Sequence, residues 1–367
     1  MATNPLVRLG ELGQSPWYDF ITRDLVASGE LARLIGEDGL KGLTSNPTIF
    51  EKAVKSSADY DVDIRRLAEA GRSPAEIFEA IAVEDVRAAC DAFRPVHEAT
   101  GGVDGLVSME VNPELAHDAE GTVAEAERLW QAIDRPNAMI KIPGTLQGLR
   151  AIERCIAAGL NVNVTLLFEV ARYEEVMEAF LRGLERRVEA GNPVDHVASV
   201  ASFFVSRVDT KVDAFLERRD ADPSLLHTAA VANAAMAYAA FQRTCRAPRW
   251  IRLAARGAKA QRPLWASTST KDPRLPDTFY VEGLIAPQTV NTLPPETFAA
   301  YRDHGRPVVR IDDAIAAAPA QLQALAEAGV DLAHVTQALE VDGVEKFAAS
   351  YRALLAGIES KTEALAM

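Results

Sequence analysis

The sequence alternates short apolar stretches with longer amphipathic ones over most of its length. The short stretches include "GLVSMEV" (105–111), "NAMIKIP" (137–143) and "NVNVTLLF" (161–168). Helical patterns follow them, such as "TLQGLRAIERCIAAG" (145–159), which ends on a glycine of the kind that often terminates helices. This alternation is typical of β-strands that are each followed by an α-helix, an arrangement in which the strands are parallel.

Eight strand candidates occur, from "SPWYDFI" (15–21) to "DTFYVEGLIAP" (277–287). Two helices are predicted between Ile49 and Thr100, after the second strand "GLTSNP" (42–47), and further helices follow Pro294. We therefore predict a single domain over residues 1–367, an α/β fold with a (β/α)8 TIM barrel core at about 14–290. Additional helices lie after the second strand, and residues 291–367 form mainly C-terminal helices. The alternative is a doubly wound open sheet, but no GxGxxG turn follows the first strand.

Charge and composition limit the partners that this chain can have. It has 367 residues, 48% of them hydrophobic, and a formal net charge of -13. Nucleic acid or an anionic membrane surface requires a basic footprint, so neither is expected, and any phosphate site must be local. The chain starts without a leader-like segment and has no apolar run of about 18 residues, which favours a cytoplasmic protein. Neither a disulfide framework nor a zinc site is predicted, because the three cysteines and six histidines lack CxxC and HExxH spacing.

Alternation within each strand predicts which side chains point into the barrel. Side chains of a barrel strand point alternately inward and toward the surrounding helices, and the outward set must be apolar. In "NVNVTLLF" the apolar face suits contact with helices, so the polar face points inward. Applied to the other strands, the rule predicts inward positions for Asp19, Thr44, Asn46, Glu110, Lys141, Asn163, Thr165, Ser202 and Phe204.

Lys141 lies between Ile140 and Ile142, just before Pro143, at the carboxyl end of its strand. Active sites of such barrels lie at this end. A buried ammonium is costly unless it is paired or deprotonated, and a neutral amine can attack a carbonyl to form a Schiff base. The structural alternative is a strand-end lysine that extends to water.

Asp19 and Glu110 are candidates for acid/base catalysis, although each alone could be a cap or a loop anchor. Together with the amides and the threonine of the inner face, they supply the groups that imine chemistry needs. Metal-dependent aldol chemistry is disfavoured, because no metal-ligand spacing occurs.

Six segments occur in an order and spacing that resemble the transaldolases, a resemblance that spans most of the chain. They are "GLTSNPTIF" (42–50), "VSMEVNPELAHD" (107–118), "MIKIPGT" (139–145), "NVNVTLLFEVARYEEV" (161–176), "SVASFFVSRVD" (199–209) and "LWASTSTKDP" (264–273). The resemblance implies a barrel of the class I aldolase type without cofactor or metal. It also implies transfer of a dihydroxyacetone unit in the pentose phosphate pathway. The donor would be sedoheptulose 7-phosphate or fructose 6-phosphate, and the acceptor glyceraldehyde 3-phosphate or erythrose 4-phosphate. We expect a monomer or a homodimer.

The same resemblance implies roles for individual residues. Lys141 would form the Schiff base, Asp19 would exchange the proton of the donor's C4 hydroxyl, and Glu110 with Thr165 would hold the catalytic water. The residues expected to bind substrate are Thr44, Asn46, Asn163, Ser202, Phe204 and Arg207, with Arg207 at the phosphate. Shorter transaldolases have a phosphate-binding arginine after the seventh strand. This chain has "ASTSTKDP" there, so Ser267 or Lys271 is expected to bind the phosphate in its place.

Phe204 bears on the choice between two activities. The related fructose-6-phosphate aldolases have a tyrosine on the corresponding strand, which can order a proton-donating water, and a phenylalanine favours transfer. One alternative is therefore a class I aldolase that releases dihydroxyacetone. The other is a catalytically silent barrel that acts as a binding protein.

Overall fold

Eight parallel strands close into a barrel in the computed structural model, which describes residues 4–366. Each strand pairs with the next along the chain, and the first also pairs with the last. The strands are β1 (Gln14–Tyr18), β2 (Gly42–Thr44), β3 (Leu106–Glu110), β4 (Ala138–Pro143), β5 (Val162–Leu167), β6 (Ser199–Phe204), β7 (Arg262–Ala266) and β8 (Thr289–Leu293). This topology confirms the predicted (β/α)8 fold. Residues 1–3 and 367 of the predicted single domain lie outside the described residues.

Helices surround the barrel and follow most of its strands. They are α1 (Pro5–Glu11), α2 (Arg23–Ala27), α3 (Glu30–Glu37), α4 (Pro47–Ser56), α5 (Asp61–Glu69), α6 (Pro74–Ala99), α7 (Ala119–Ile133), α8 (Leu146–Ala158), α9 (Val170–Glu189), α10 (Ser206–Glu217), α11 (Ala229–Arg246), α12 (Pro248–Ala254), α13 (Phe279–Gly283), α14 (Pro295–His304), α15 (Ile311–Glu327) and α16 (Leu332–Ala366). None of these described helices combines the length and the apolar character needed to cross a membrane.

The eighth strand is not where the sequence pattern placed it. The predicted strand at 277–287 contains α13, a single helical turn that buries Tyr280 and Val281. The strand itself is "TVNTL" at Thr289–Leu293, a half-polar segment that a search for apolar runs overlooks. The barrel therefore ends at Leu293, beyond the predicted limit at residue 290. Three helices, α4, α5 and α6, follow β2 where two were predicted.

The amino-terminal end of the barrel is closed by a buried ion pair. Arg262, the first residue of β7, donates hydrogen bonds to the Ser15 Oγ of β1 at 2.8 Å and to Asp104 Oδ1 at 2.9 Å. It also donates to the carbonyl of Val103 at 2.7 Å. These contacts join β7, β1 and the segment before β3 across the floor of the barrel.

The last helix, α16, packs near the opposite end of the barrel. It contacts α4, α5, α6, α10 and β5. Gly343 allows a close approach to β5, because a Cβ at this position would lie 3.0 Å from Leu166 Cδ2. Polar contacts hold the helix on both sides of this point: Lys211 Nζ lies 2.9 Å from Asp342 Oδ2, and the Thr48 hydroxyl lies 2.8 Å from the Ser350 hydroxyl.

Candidate active site

Lys141 is buried near the carboxyl end of β4, with 4% of the residue exposed. Its Nζ donates a hydrogen bond to the Ser45 carbonyl at 3.2 Å and lies 3.4 Å from Glu110 Oε2. The centroid of the Phe347 ring, on α16, is 5.5 Å from the same nitrogen. The amine is thus enclosed by one carboxyl group, one carbonyl and one aromatic ring.

Strand register explains why these groups meet. Glu110 on β3 pairs with Lys141 on β4, and Lys141 pairs with Asn163 on β5. Pro143 pairs with Thr165 two residues further along these strands. Paired residues of neighbouring strands project to the same side of the sheet, so the side chains of three strands meet inside the barrel at one height.

A cavity of about 420 Å³ opens at this end of the barrel. It is lined by ten of the twelve residues singled out from the sequence: Asp19, Thr44, Asn46, Lys141, Thr165, Ser202, Phe204, Arg207, Ser267 and Lys271. Glu110 and Asn163 do not line it. Glu110 lies beside Lys141 and lines a neighbouring cavity, and Asn163 is hydrogen-bonded to Ser202.

Two carboxyl groups near the amine are shifted toward their protonated forms. Burial raises the pKa of Glu110 to about 7, and the Lys141 ammonium opposes that shift only in part. Burial also raises the pKa of Asp19, against the opposing effects of Lys141, the Thr44 hydroxyl and Arg207. Both carboxyls can therefore exchange protons more readily near neutral pH than an exposed carboxyl can.

Three buried oxygen atoms at this end of the barrel make no hydrogen bond to the described residues, although one of them, Glu110 Oε2, lies within ion-pair distance of Lys141 Nζ. They are both carboxyl oxygens of Glu110 and the hydroxyl oxygen of Thr165. The Glu110 side chain is 3% exposed and Thr165 is fully buried. Buried polar atoms normally have partners, so each of these two side chains is suited to bind a water molecule or a substrate hydroxyl.

A chain of hydroxyl groups orients Asp19. The Thr44 hydroxyl donates to Asp19 Oδ1 at 2.7 Å, and its oxygen lies 2.6 Å from the Thr292 hydroxyl. Because Thr44 has one proton to donate, Thr292 must be the donor to Thr44. Thr292 was missed by the sequence analysis because it lies on β8, whose position was predicted wrongly.

The amide residues at the site are already engaged by protein groups. Asn163 accepts a hydrogen bond from the Ser202 hydroxyl at 2.7 Å and donates one to Ser108 Oγ at 3.0 Å. Asn46 accepts the backbone N–H of Ile49 at 3.1 Å and so caps α4. Asn163 therefore fixes Ser202, while the side-chain nitrogen of Asn46 donates to no described residue.

Three basic side chains besides Lys141 line the cavity, and two of them come from neighbouring segments. Arg207 lies in the first turn of α10, with its Cζ 5.0 Å from the centroid of the Phe204 ring. The Ser206 backbone N–H donates to the Ser267 carbonyl at 3.0 Å, which brings the loop after β7 next to the start of α10. Lys271 from this loop and Lys52 from α4 also line the cavity. Lys52 was not singled out from the sequence.

A second, larger cavity of about 650 Å³ lies between α4, α6 and α7. Its three arginines are already engaged: Arg72 contacts Glu76 at 2.9 Å, Arg128 contacts Glu79, and Arg87 donates to the backbone carbonyls of Ile133 and Ala132. No lysine lines it. Glu110 and Asn46 line it, but Lys141, Asp19 and Thr165 line only the smaller cavity, which is therefore the candidate active site.

This arrangement has the parts that covalent catalysis through an imine needs. It has a buried primary amine, two carboxyl groups with raised pKa and a pair of side chains suited to hold water. Across residues 4–366, no cluster of three or more His, Cys, Asp or Glu side chains is arranged to hold a metal ion.

Comparison with known proteins gives a consistent result. The family model "Transaldolase/Fructose-6-phosphate aldolase" matches residues 16–358. The chain is 52% identical over 365 residues to a protein named transaldolase from Acidothermus cellulolyticus, an alignment covering 98% of each chain. It is 49% identical over 358 residues to the transaldolase of Thermobifida fusca, covering 96% of each. It is 45% identical over 378 residues to transaldolase 2 of a Nostoc species, covering 100% of this chain and 99% of the relative. The chain belongs to the transaldolase/fructose-6-phosphate aldolase family.

Proposed function

We propose that this protein is a transaldolase that transfers a dihydroxyacetone unit from a ketose phosphate to an aldose phosphate through a Schiff base on Lys141. The observation that carries the proposal is the buried amine of Lys141, 3.4 Å from a carboxyl group whose pKa is raised to about 7. Relatives about 50% identical over nearly the whole chain are named transaldolase, which supports it.

In the proposed mechanism, the neutral amine of Lys141 attacks the ketose carbonyl to form a carbinolamine. Glu110 then donates a proton to the departing hydroxyl, which leaves as water and gives the iminium ion. Thr165, whose hydroxyl oxygen has no hydrogen-bond partner among the described residues, helps to hold that water. The same carboxyl group, now ionised, takes a proton from water when the imine of the product is hydrolysed at the end of turnover.

Asp19 acts on the carbon–carbon bond. Its carboxylate, oriented by Thr44, accepts the proton of the C4 hydroxyl as the bond between C3 and C4 breaks. The electron pair of that bond moves toward the iminium nitrogen, so that the first aldose leaves and an enamine stays attached to Lys141. Attack of the enamine on the carbonyl carbon of a second aldose reverses these steps.

The substrate phosphate is proposed to bind between Arg207, Ser267 and Lys271. A guanidinium group in the first turn of a helix, beside a hydroxyl group and a lysine, forms a local anion site in a protein whose formal net charge is -13. Arg207→Ala should mainly raise KM for phosphorylated ketoses and leave turnover of unphosphorylated fructose unchanged. An unchanged KM for fructose 6-phosphate would locate the phosphate elsewhere.

The transfer reaction itself is the decisive test. The protein should convert fructose 6-phosphate and erythrose 4-phosphate into sedoheptulose 7-phosphate. Formation of free dihydroxyacetone without an acceptor, and at a comparable rate, would show an aldolase of the fructose-6-phosphate aldolase type instead.

Borohydride identifies the reacting lysine. Reduction in the presence of fructose 6-phosphate should label Lys141 alone, as determined by peptide mapping. Lys141→Arg should be inactive because a guanidinium group does not form the imine. Lys259→Arg, a change outside the cavity, is the matched control and should remain active. Failure to label any lysine would favour a catalytically silent barrel.

A cytoplasmic location, a monomeric or homodimeric state and a single domain over residues 1–367 stay predictions. Sedimentation of the full chain measures the oligomeric state, and limited proteolysis tests whether the chain forms a single domain. The substrates implied by the family are sugar phosphates, and they are the only partners that we propose.

A further inference from the structure

The last helix contributes an aromatic ring to the cavity for which the proposed mechanism has no role. Phe347, on α16, is 6% exposed and lines the cavity, and its ring centroid lies 5.5 Å from Lys141 Nζ. We propose that the face of this ring stabilises the positive charge of the iminium nitrogen on Lys141. This inference rests on the proposed Schiff-base function and adds a further residue to it.

Ring geometry and charge support this role. The face of an aromatic ring is electron-rich and attracts a cation within about 6 Å of its centroid. During the proposed reaction, the Lys141 nitrogen is positively charged in the iminium ion and neutral in the enamine. Cleavage of the carbon–carbon bond neutralises this charge, so the ring does not assist that step. It favours the two steps in which the charge forms, which are loss of water from the carbinolamine and attack of the enamine on the second aldose.

Other groups around the nitrogen do not make the ring redundant. The Ser45 carbonyl accepts the hydrogen bond from Lys141 Nζ, and Glu110 lies 3.4 Å away on the neighbouring strand. Asp19 and Arg207 line the same cavity. Glu110 gives up its negative charge when it is protonated, and burial raises its pKa to about 7. The ring keeps its electron-rich face in either state of Glu110.

The position of the ring is fixed by the packing of α16. Gly343 and Phe347 are four residues apart and therefore lie on the same face of the helix. Gly343 meets Leu166 on β5, while Asp342 contacts Lys211 and Ser350 contacts Thr48. These contacts lie within five residues of Phe347 on either side, so the ring is held over the amine.

Fluorinated phenylalanines at position 347 of the full chain test the proposal. Each added fluorine withdraws electron density from the ring face while changing its volume little. With one, two and three fluorines, the rate of iminium formation from fructose 6-phosphate should fall stepwise, and kcat for transfer to erythrose 4-phosphate should fall with it. The fraction of protein trapped by borohydride should fall in parallel. The total decrease in kcat should be about tenfold, equivalent to about 1.4 kcal/mol.

Phe215 is the matched control position. Phe215 is on α10, its ring centroid lies 4.4 Å from Arg219 Cζ, and it does not line the cavity, so the same fluorine series there should leave kcat unchanged. Phe347→Leu, which keeps an apolar cover without a ring, should behave like the trifluorinated protein.

Two results would overturn the inference. If kcat is the same throughout the series at position 347 while the unmodified protein is still labelled at Lys141, the ring has no electrostatic role and the proposed function stands. If the unmodified protein forms no adduct with borohydride and fructose 6-phosphate, the proposed function fails and this inference fails with it.

Discussion

Glu110 and Lys141 face each other on neighbouring strands. In the proposed mechanism, Glu110 must donate a proton in one step of turnover and accept a proton in another. Burial raises the pKa of Glu110 to about 7, so both forms of the carboxyl group are populated near neutral pH. Loss of water from the carbinolamine needs an acid, and hydrolysis of the product imine needs a base. A single carboxyl group that titrates near neutrality can serve both steps.

Glu110→Gln tests this at the level of one side chain. The amide keeps the shape of the carboxyl group but does not titrate, so kcat should fall by about 100-fold. In the unmodified protein, the ionised form accumulates as the pH rises through about 7, so the rate of imine hydrolysis should increase there. Single-turnover measurements across this pH range should show that increase in the unmodified protein and not in Glu110→Gln. An increase of the same size in the variant would assign the titration to another group.

Phe204 allows a second test at the residue scale. Its ring packs 5.2 Å from that of Phe168 and lines the cavity without offering a hydroxyl group. Phe204→Tyr adds one oxygen atom at nearly the same volume, so an ordered water can protonate the enamine. We expect more free dihydroxyacetone relative to transfer, and each tenfold change in this ratio corresponds to about 1.4 kcal/mol.

The measurement compares dihydroxyacetone release from fructose 6-phosphate without acceptor and transfer to erythrose 4-phosphate. Phe203→Tyr is not a suitable control because Phe203 is fully buried, so Phe215→Tyr on α10 serves instead and should leave the ratio unchanged. A ratio equal to that of the unmodified protein in Phe204→Tyr would mean that Phe204 does not touch the reacting carbon.

The alternation of side chains along each strand was enough to predict which polar side chains point into the barrel. It did not identify every group at the site. Lys141, Glu110 and Asn163 were placed by the alternation of side chains, a local property of each strand. The Ser45 carbonyl is a backbone group with no signal in the sequence. Phe347 reaches the site from a helix far along the chain, and such a contact depends on packing that local periodicity does not describe.

At the scale of elements, the regular βα units were predictable and the irregular ones were not. The helix after β4 begins at a Thr145 cap and ends at Gly159, whose φ is 93°, both of which follow from local chemistry. β8 was missed because a strand with an inner polar face has few apolar residues. The apolar segment before β8, which was predicted to be the strand, instead contains the helical turn α13.

Gly343 gives a test of how α16 is placed. Its missing side chain faces Leu166, where a Cβ would meet a methyl group at 3.0 Å. Gly343→Ala should be tolerated, because the methyl group can move and alanine favours the helix by about 1 kcal/mol. Gly343→Leu should push α16 away from β5 and lower the free energy of unfolding by about 1–3 kcal/mol.

The larger substitution should also lower kcat, because Phe347 lies one helical turn further along the same face. Urea denaturation measures stability, and the transfer assay measures kcat, with Gly343→Ala as the control for both. A kcat equal to that of the unmodified protein in Gly343→Leu would show that the site tolerates displacement of α16.

At the scale of the whole molecule, the two ends of the barrel differ. The amino-terminal end is held by a buried ion pair, and the cavity with Lys141 opens at the carboxyl end. The floor is held by Arg262, whose side chain is 10% exposed, and by Asp104. Asp104→Ala leaves the guanidinium group buried without its carboxylate, so the free energy of unfolding should fall by about 3 kcal/mol. The kcat of the folded protein should stay unchanged, because Lys141 lies toward the opposite end of the barrel.

Urea denaturation tests this, with Arg243→Ala as the control. Arg243 pairs with Glu174 on the surface, where the two side chains are 59% and 49% exposed, and its loss should cost less than about 1 kcal/mol. Equal losses in the two variants would show that the ion pair at the floor contributes no more than a surface pair.

The position of α16 also determines when the reaction centre becomes complete during protein synthesis. The ribosome adds Phe347 about fifty residues after Leu293, the last residue of β8. Domains fold while their chains are still being made, so all eight strands, with the amine of Lys141, are available before the ring that covers it. For part of its synthesis, the growing chain therefore has a Lys141 side chain that α16 does not yet cover. The amine reaches its enclosed surroundings only when residues that come after the barrel have joined it.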